Sequence, residues 1–404
     1  VTSRPALLAI LLALAGTRAA AGFEPDEWLD QLGEKLTLST PDGQVRAKLG
    51  GLIDLDAYHF GQPPPGLIDS TRHTLFAPRV TLFLDGQIGA HIYFFAQARA
   101  DRGFDPGDRG ARFRLDEYAI RVTPWDDGRL SLQVGKFATV LGAWTQRHLS
   151  WDNPFINAPA PYEHLTGVSD FEALASVHDL RHIPARERYE RLPLIWGPAY
   201  STGLAISGKL AKFEYALEVK NAPPSSRPDS WSATEIGFSH PVFSSRVGYR
   251  PNEAWNFGLS ASEGAYFRPE AAPTLPHPRS HYHQFLIGQD VSFAWHHLQL
   301  WAEIYEARFE VPRLGNADSV AYFLEAKYKF APQLYGALRW NHQLFGTMRA
   351  PDTREPWGRD FWSIDAALGY RFTAHTQLKL QYSLEREEPR SLGHILAAQV
   401  TLRF

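Results

Sequence analysis

The chain has 404 residues, no cysteine and a formal net charge of −3. The length allows one large barrel or two to three smaller domains; the missing cysteines exclude disulfides, thiol nucleophiles and cysteine-held metals; the near-neutral charge supplies no basic face for nucleic acid. Aromatics make up 13% at a mean hydropathy of −0.30, a pairing that suits strands in which only every second residue is apolar.

Residues 1–21 read as a secretory signal peptide. Arg4 supplies the positive charge, 6–15 an apolar stretch too short to span a bilayer, and Ala19-Ala20-Ala21 a small-residue cleavage site. Residues 22–42 read as a short periplasmic segment, in which 23–36 has the spacing of an amphipathic helix. From 43 to 404 the period switches to two. Leu378, Leu380, Tyr382 and Leu384 alternate with Gln377, Lys379, Gln381, Ser383 and Glu385; Leu396, Ala398, Val400, Leu402 and Phe404 alternate with Ala397, Gln399, Thr401 and Arg403. Such segments have one apolar and one polar face.

Sixteen strands are expected, at 44–58, 73–85, 88–101, 113–123, 129–137, 200–208, 211–220, 242–250, 255–263, 283–293, 296–308, 319–329, 334–345, 360–372, 376–387 and 392–404, with eighteen as the alternative even count. The connections alternate long and short, with 388–391 as the exception. Turn chemistry marks short ones at Asp85-Gly86, Asp126-Asp127-Gly128 and Pro251-Asn252. An even strand number with alternating connections is the pattern of an all-β, transmembrane antiparallel β-barrel. Closure is required because lipid offers no partner to a bare strand edge. The competing architecture is a soluble β-sandwich, which would bury each apolar face against a second sheet.

The polar faces identify candidate pore-lining residues: Arg46, Lys48, Arg79, Arg99 and Arg121 on strands, set against Asp54, Asp56, Asp101 and Glu117 among others. Wall charges set the selectivity of a pore. The connection 138–199 is too long for a structureless loop and begins with aromatic, apolar residues. It is expected to fold into the lumen as a constricting third loop, carrying Arg147, His148, Arg181, Arg186 and Arg188 to the narrow point; an outer cap is the alternative. Phe404, Leu402 and Val400 form the expected membrane-assembly signal.

Three stretches resemble the phosphate-selective porin O and P family: Asp42-Gly43 running to Leu49-Gly50-Gly51 and Asp54; Phe76-Ala77-Pro78-Arg79 through Asp85-Gly86 to Arg99; and Asp116-Glu117-Tyr118-Ala119 leading to Val134-Gly135-Lys136-Phe137. The resemblance spans 42–150 and implies a sixteen-stranded porin, a constricting third loop, a homotrimer, the barrel assembly machinery as partner and anions such as phosphate as solutes. Against the basic lumen it implies, 138–199 holds five arginines and no lysine beside seven carboxylates.

Sixteen histidines invite a metal reading, but the closest groups, His281 with His283 and His296-His297, lack a partner set, so no metal or cofactor is expected. Without a Gly-x-Ser-x-Gly elbow no catalytic residue stands out. The sequence therefore points to a non-enzymatic porin of the bacterial outer membrane, embedded in its lipid and passing small hydrophilic or anionic solutes. An outer-membrane barrel enzyme and a non-conducting receptor or structural barrel are the rival readings.

Overall fold

In the computed structural model, residues 25–62, 66–68, 73–101, 112–184, 190–227, 237–349 and 353–404 are described. The expected signal peptide, with Arg186 and Arg188, lies outside them. Sixteen strands build the wall: β1 (Val45–Phe60), β2 (Thr74–Ile88), β3 (Ile92–Asp101), β4 (Arg112–Val122), β5 (Ser131–Phe137), β6 (Ser201–Leu210), β7 (Phe213–Lys220), β8 (Val242–Tyr249), β9 (Trp255–Ala265), β10 (His283–Trp295), β11 (Leu298–Val311), β12 (Gly315–Lys329), β13 (Leu334–Phe345), β14 (Phe361–Arg371), β15 (Thr376–Glu387) and β16 (Gly393–Arg403). Each pairs antiparallel with its sequence neighbours, and β16 returns to β1 through Gln399↔Asp56 and Thr401↔Asp54. The sheet is therefore a closed barrel, and a two-sheet sandwich is excluded. At the seam, Phe404 and Gly51 exchange both backbone hydrogen bonds (3.0 and 3.1 Å). A side chain at Gly51 would collide with the Phe404 ring, which gives the Gly50-Gly51 pair a packing role.

The wall is inside-out relative to a soluble protein. On β15, Gln377, Lys379, Gln381 and Ser383 are buried, while Leu380 and Tyr382 are exposed. The outward side chains form an apolar band bounded by aromatics, as a lipid-facing barrel requires. Near the short connections, Trp255–Phe293 (4.5 Å), Phe213–Tyr249 (5.0 Å) and Tyr370–Phe372 (5.0 Å) meet in tilted or edge-on pairs. Toward the other rim, Trp340 stacks on Trp362 (5.6 Å). Tyr322 and Tyr328 face outward on β12, one toward each rim. Six residues separate them, about 20 Å of extended chain.

Three local expectations change. The hairpin placed at Asp85-Gly86 turns later, at 89–91, because β2 continues to Ile88 and Gly89 supplies the left-handed residue (φ 59°). The long connection expected at 309–318 is a tight turn between Val311 and Gly315, with Arg313 and Gly315 at positive φ. On β4 the alternation breaks: a bulge shifts the register opposite Gln97/Ala98, so that Arg114 and Asp116 join the inward side instead of facing lipid. Outside the wall, the helix Pro25–Lys35 lies at the short-turn end, where His375 Nε2 meets Asp30 at 3.0 Å.

Candidate pore constriction

The segment between β5 and β6 lies inside the barrel. It leaves the wall at Phe137 and crosses the lumen to the far strands. Its backbone is held by polar side chains projecting from them. Glu303 on β11 accepts from the amides of Ala143 (2.9 Å) and Trp144 (2.6 Å) and from the Tyr162 hydroxyl. Asn341 on β13 accepts from the Ala160 amide (3.0 Å), and Gln381 on β15 from that of Ile156 (2.7 Å). Lys379 donates to three carbonyls, of Ser150 (2.7 Å), Asn153 (3.0 Å) and Phe155 (3.1 Å). A fully buried ammonium is tolerated when its protons are all taken by acceptors, and here the acceptors are those a folded-back chain exposes. Gly142 makes the approach feasible: it has φ 67°, and a Cβ there would strike Tyr305, Tyr162 and Glu303.

Apolar packing finishes the docking. Leu141, Phe155, Leu192, Leu194 and Ile195 are fully buried. Most of the segment's apolar residues join inward-facing Tyr305, Ala307 and Phe309 of β11 and Ala317, Ala321 and Phe323 of β12 in one hydrophobic cluster. The sequence reading gave the lumen polar walls throughout; toward the long-loop end of β11 and β12 the wall is apolar and carries the segment. Each large side chain so buried contributes roughly 1.5–3 kcal/mol.

A gap remains between the inserted segment and β1–β3. Asp54, Arg79, Gln97 and Arg99 line its wall side; Trp144, His148, Phe155 and Trp196 its segment side. It holds about 860 Å³ of empty space, counting the solvent it opens onto. Two charge clusters stand here. Arg79 pairs with Asp54 (2.9 Å) and Asp56 (3.7 Å). Arg99 pairs with Asp116 (3.0 Å) and Asp101 (3.3 Å), both of which Arg114 also meets (3.5 Å each). His148 is neutral by construction: its Nδ1–H donates to the Thr145 carbonyl (2.6 Å) and its Nε2 accepts from the Tyr200 hydroxyl (2.7 Å), which itself accepts from Gln97. Burial, reinforced by Arg99, lowers the His148 pKa to about 4. Burial likewise raises Tyr162 well above its ordinary value.

The expected pore-lining residues thus separate. Arg79, Arg99 and His148 line the gap. Arg147 is docked against the opposite wall, on Glu325 (2.6 Å) and over the Trp301 ring (4.3 Å). Arg181 closes the short helix Val177–Arg181 and faces Glu355 at 3.7 Å, on the long-loop side. Arg46, Lys48 and Arg121 lie toward the short-turn end. None of these three forms an ion pair among the described residues; Arg121 donates to Gln133 (2.9 Å) and its charge acts on Glu117 nearby. Sequence reasoning missed Arg114 and Asp116, which only the bulge turns inward, and Glu303 and Lys379 as anchors of the segment. Val400 and Leu402 face outward on β16, beside the Phe404 seam.

No protein-family model matches the chain, and a search of curated proteins finds no relative. Solved structures of the same fold are numerous. They include OmpT, an outer membrane protein of Vibrio cholerae (TM-score 0.57, 8% identity, 91% of this chain and 99% of that one); Salmonella typhi OmpF in complex with daunomycin (0.57, 10%, 91% and 100%); and an anion-selective porin from Comamonas acidovorans (0.55, 11%, 89% and 100%). The chain has the fold of the outer-membrane porins. Its closed wall and apolar, aromatic-edged exterior place it in a bacterial outer membrane.

Proposed function

We propose that this protein is a passive diffusion channel for small hydrophilic solutes, and not an enzyme. The observation that carries the reading is the segment after β5 laid across a closed barrel, leaving a gap along β1–β3. In this reading the segment is the constriction, and wall charge and gap width set what passes.

The anion preference suggested by the resemblance to the phosphate-selective O and P family belongs, in our reading, to the short-turn end rather than to the gap. In the gap, Arg79 and Arg99 are matched by carboxylates; toward the short turns, Arg46, Lys48 and Arg121 form no ion pair among the described residues. Phosphate is accordingly one permeant anion among others. Homotrimer assembly, and recognition of the Phe404 end by barrel assembly machinery, belong to the same proposal.

Planar-bilayer recording of the refolded protein tests it. Stepwise ohmic openings with a modest chloride preference support the channel. A silent barrel, with or without hydrolytic activity, refutes it in favour of an enzyme or a receptor.

A further inference from the structure

We infer that His178 and His182, on the long-loop side of the barrel, form a chelating site for a divalent late transition metal, Cu²⁺ above Zn²⁺. This goes beyond the channel reading and does not rest on it. The two residues stand one helical turn apart, on the short helix Val177–Arg181 and at its C-cap. Val177 and Leu180 bury the opposite face, and Ser176 caps the first turn by accepting from the Asp179 amide (3.2 Å). The helix is thereby fixed. Both imidazoles stand exposed on its free face, with ring centroids 3.9 Å apart and planes 19° from parallel. Residues i and i+4 share a helix face, so two imidazoles so placed can close on one ion. The intervening Arg181 faces Glu355 (3.7 Å), which offsets its charge beside an incoming cation.

A second, independent observation points to a ligand. The Nδ1–H of His182 donates to the His178 carbonyl (3.0 Å). A carbonyl only accepts, so the proton sits on Nδ1 and the Nε2 lone pair is left free, the arrangement that orients metal-ligating histidines. Neither ring nitrogen of His178 has a partner among the described residues. His283, which stood out in the sequence, is engaged elsewhere: its Nδ1 meets Glu263 (3.2 Å) and its Nε2 the Ser280 carbonyl (2.9 Å). His277 and His281 repeat the i, i+4 spacing, but their rings stand 5.5 Å apart, and among the described residues no carbonyl fixes either tautomer. Imidazole nitrogen suits Cu²⁺ and Zn²⁺ rather than Ca²⁺ or Mg²⁺, and an exposed pair leaves the remaining coordination positions to water.

The test titrates the untagged, detergent-solubilised full-length barrel with Cu²⁺, Zn²⁺ or Ca²⁺ by calorimetry. The tightest Cu²⁺ class should hold one ion per chain, bind more tightly than Zn²⁺, and show imidazole nitrogen in its electron paramagnetic resonance spectrum; Ca²⁺ should not compete. His178→Ala and His182→Ala should each weaken that class at least about 10-fold, the loss that follows when even a partner that merely orients a ligand is removed. His277→Ala should leave it unchanged. His178→Gln keeps a polar side chain at the same exposed position, should behave as His178→Ala does, and guards against misfolding. Unchanged Cu²⁺ affinity in a folded His178→Ala or His178→Gln barrel overturns the inference. So does an equal loss in His277→Ala, or the absence of a saturable Cu²⁺ class in the unmodified protein. Conductance plays no part in the readout, so a silent barrel would end the channel reading and leave this test decisive.

Discussion

The β1–β4 wall and the β10–β13 wall face each other across one lumen and treat the inserted segment in opposite ways. On β11 and β12 the inward residues toward the long-loop end are Tyr305, Ala307, Phe309, Ala317, Ala321 and Phe323. On β1–β4 they include Asp54, Asp56, Arg79, Arg99, Asp101, Arg114 and Asp116, with apolar contact to the segment confined to Tyr58 and Phe60 of β1, which cluster with Ile156. An apolar segment gains by covering the first wall. The second presents buried ion pairs instead, and the gap lies beside them. Charge pairing on one side and apolar docking on the other are two halves of one positioning device.

Removing the docked segment is the strongest way to break this comparison. Deleting 150–190 should raise single-channel conductance severalfold, while leaving the β10–β12 wall bare and the barrel more aggregation-prone; unchanged conductance would place the constriction elsewhere. A smaller effect comes from Lys379→Met, which leaves the carbonyls of Ser150, Asn153 and Phe155 without their donor. It should cost about 3 kcal/mol of segment docking, read as a lower temperature for the heat-induced mobility shift of the folded barrel.

Acid sharpens the comparison from the segment's side. His148 has its folded value near 4 against an ordinary 6.5, so the undocked segment takes up the proton first. Docking is at full strength above pH 6.5 and weakens progressively as pH falls toward 4, by up to about 3 kcal/mol. Conductance noise and protease sensitivity of 138–199 should rise over that window, and rise less in His148→Asn. A flat profile in the unmodified protein would show that His148 does not report docking.

The smallest effects are shifts of reversal potential. Arg46→Glu and Arg121→Glu reverse charges that sit in no ion pair among the described residues, and each should move selectivity toward cations with little loss of stability. Arg99→Glu sets a third carboxylate beside Asp101 and Asp116 and should instead lower stability, with selectivity secondary. If Arg99→Glu alone shifts the potential, the assignment of ion preference to the short-turn end is wrong.

Legibility followed periodicity. Strands such as β15 and β16 are readable because a lipid-facing residue has no alternative to being apolar, and a period of two survives every tertiary detail. The same regularity failed at β4, where one extra residue turned both Arg114 and Asp116 inward; alternation has no signal for a bulge. It failed again at Asp85-Gly86, where turn-forming residues sit inside a strand that its neighbours β1 and β3 hold straight. Arg147 and Arg181 could be named as charged residues of 138–199, but their partners Glu325 and Glu355 lie far along the chain.

By itself the sequence determined the strand number, the two faces of the regular strands such as β15 and β16, and the presence of a long, apolar segment after the fifth strand, because hydrocarbon on one side and water on the other impose their pattern residue by residue. Only the tertiary structure decided where that segment lies and which charges remain unmatched. Both depend on pairings such as Glu303 with Ala143 and Trp144, and Lys379 with Ser150, whose members are brought together by closure of the barrel and share no local pattern.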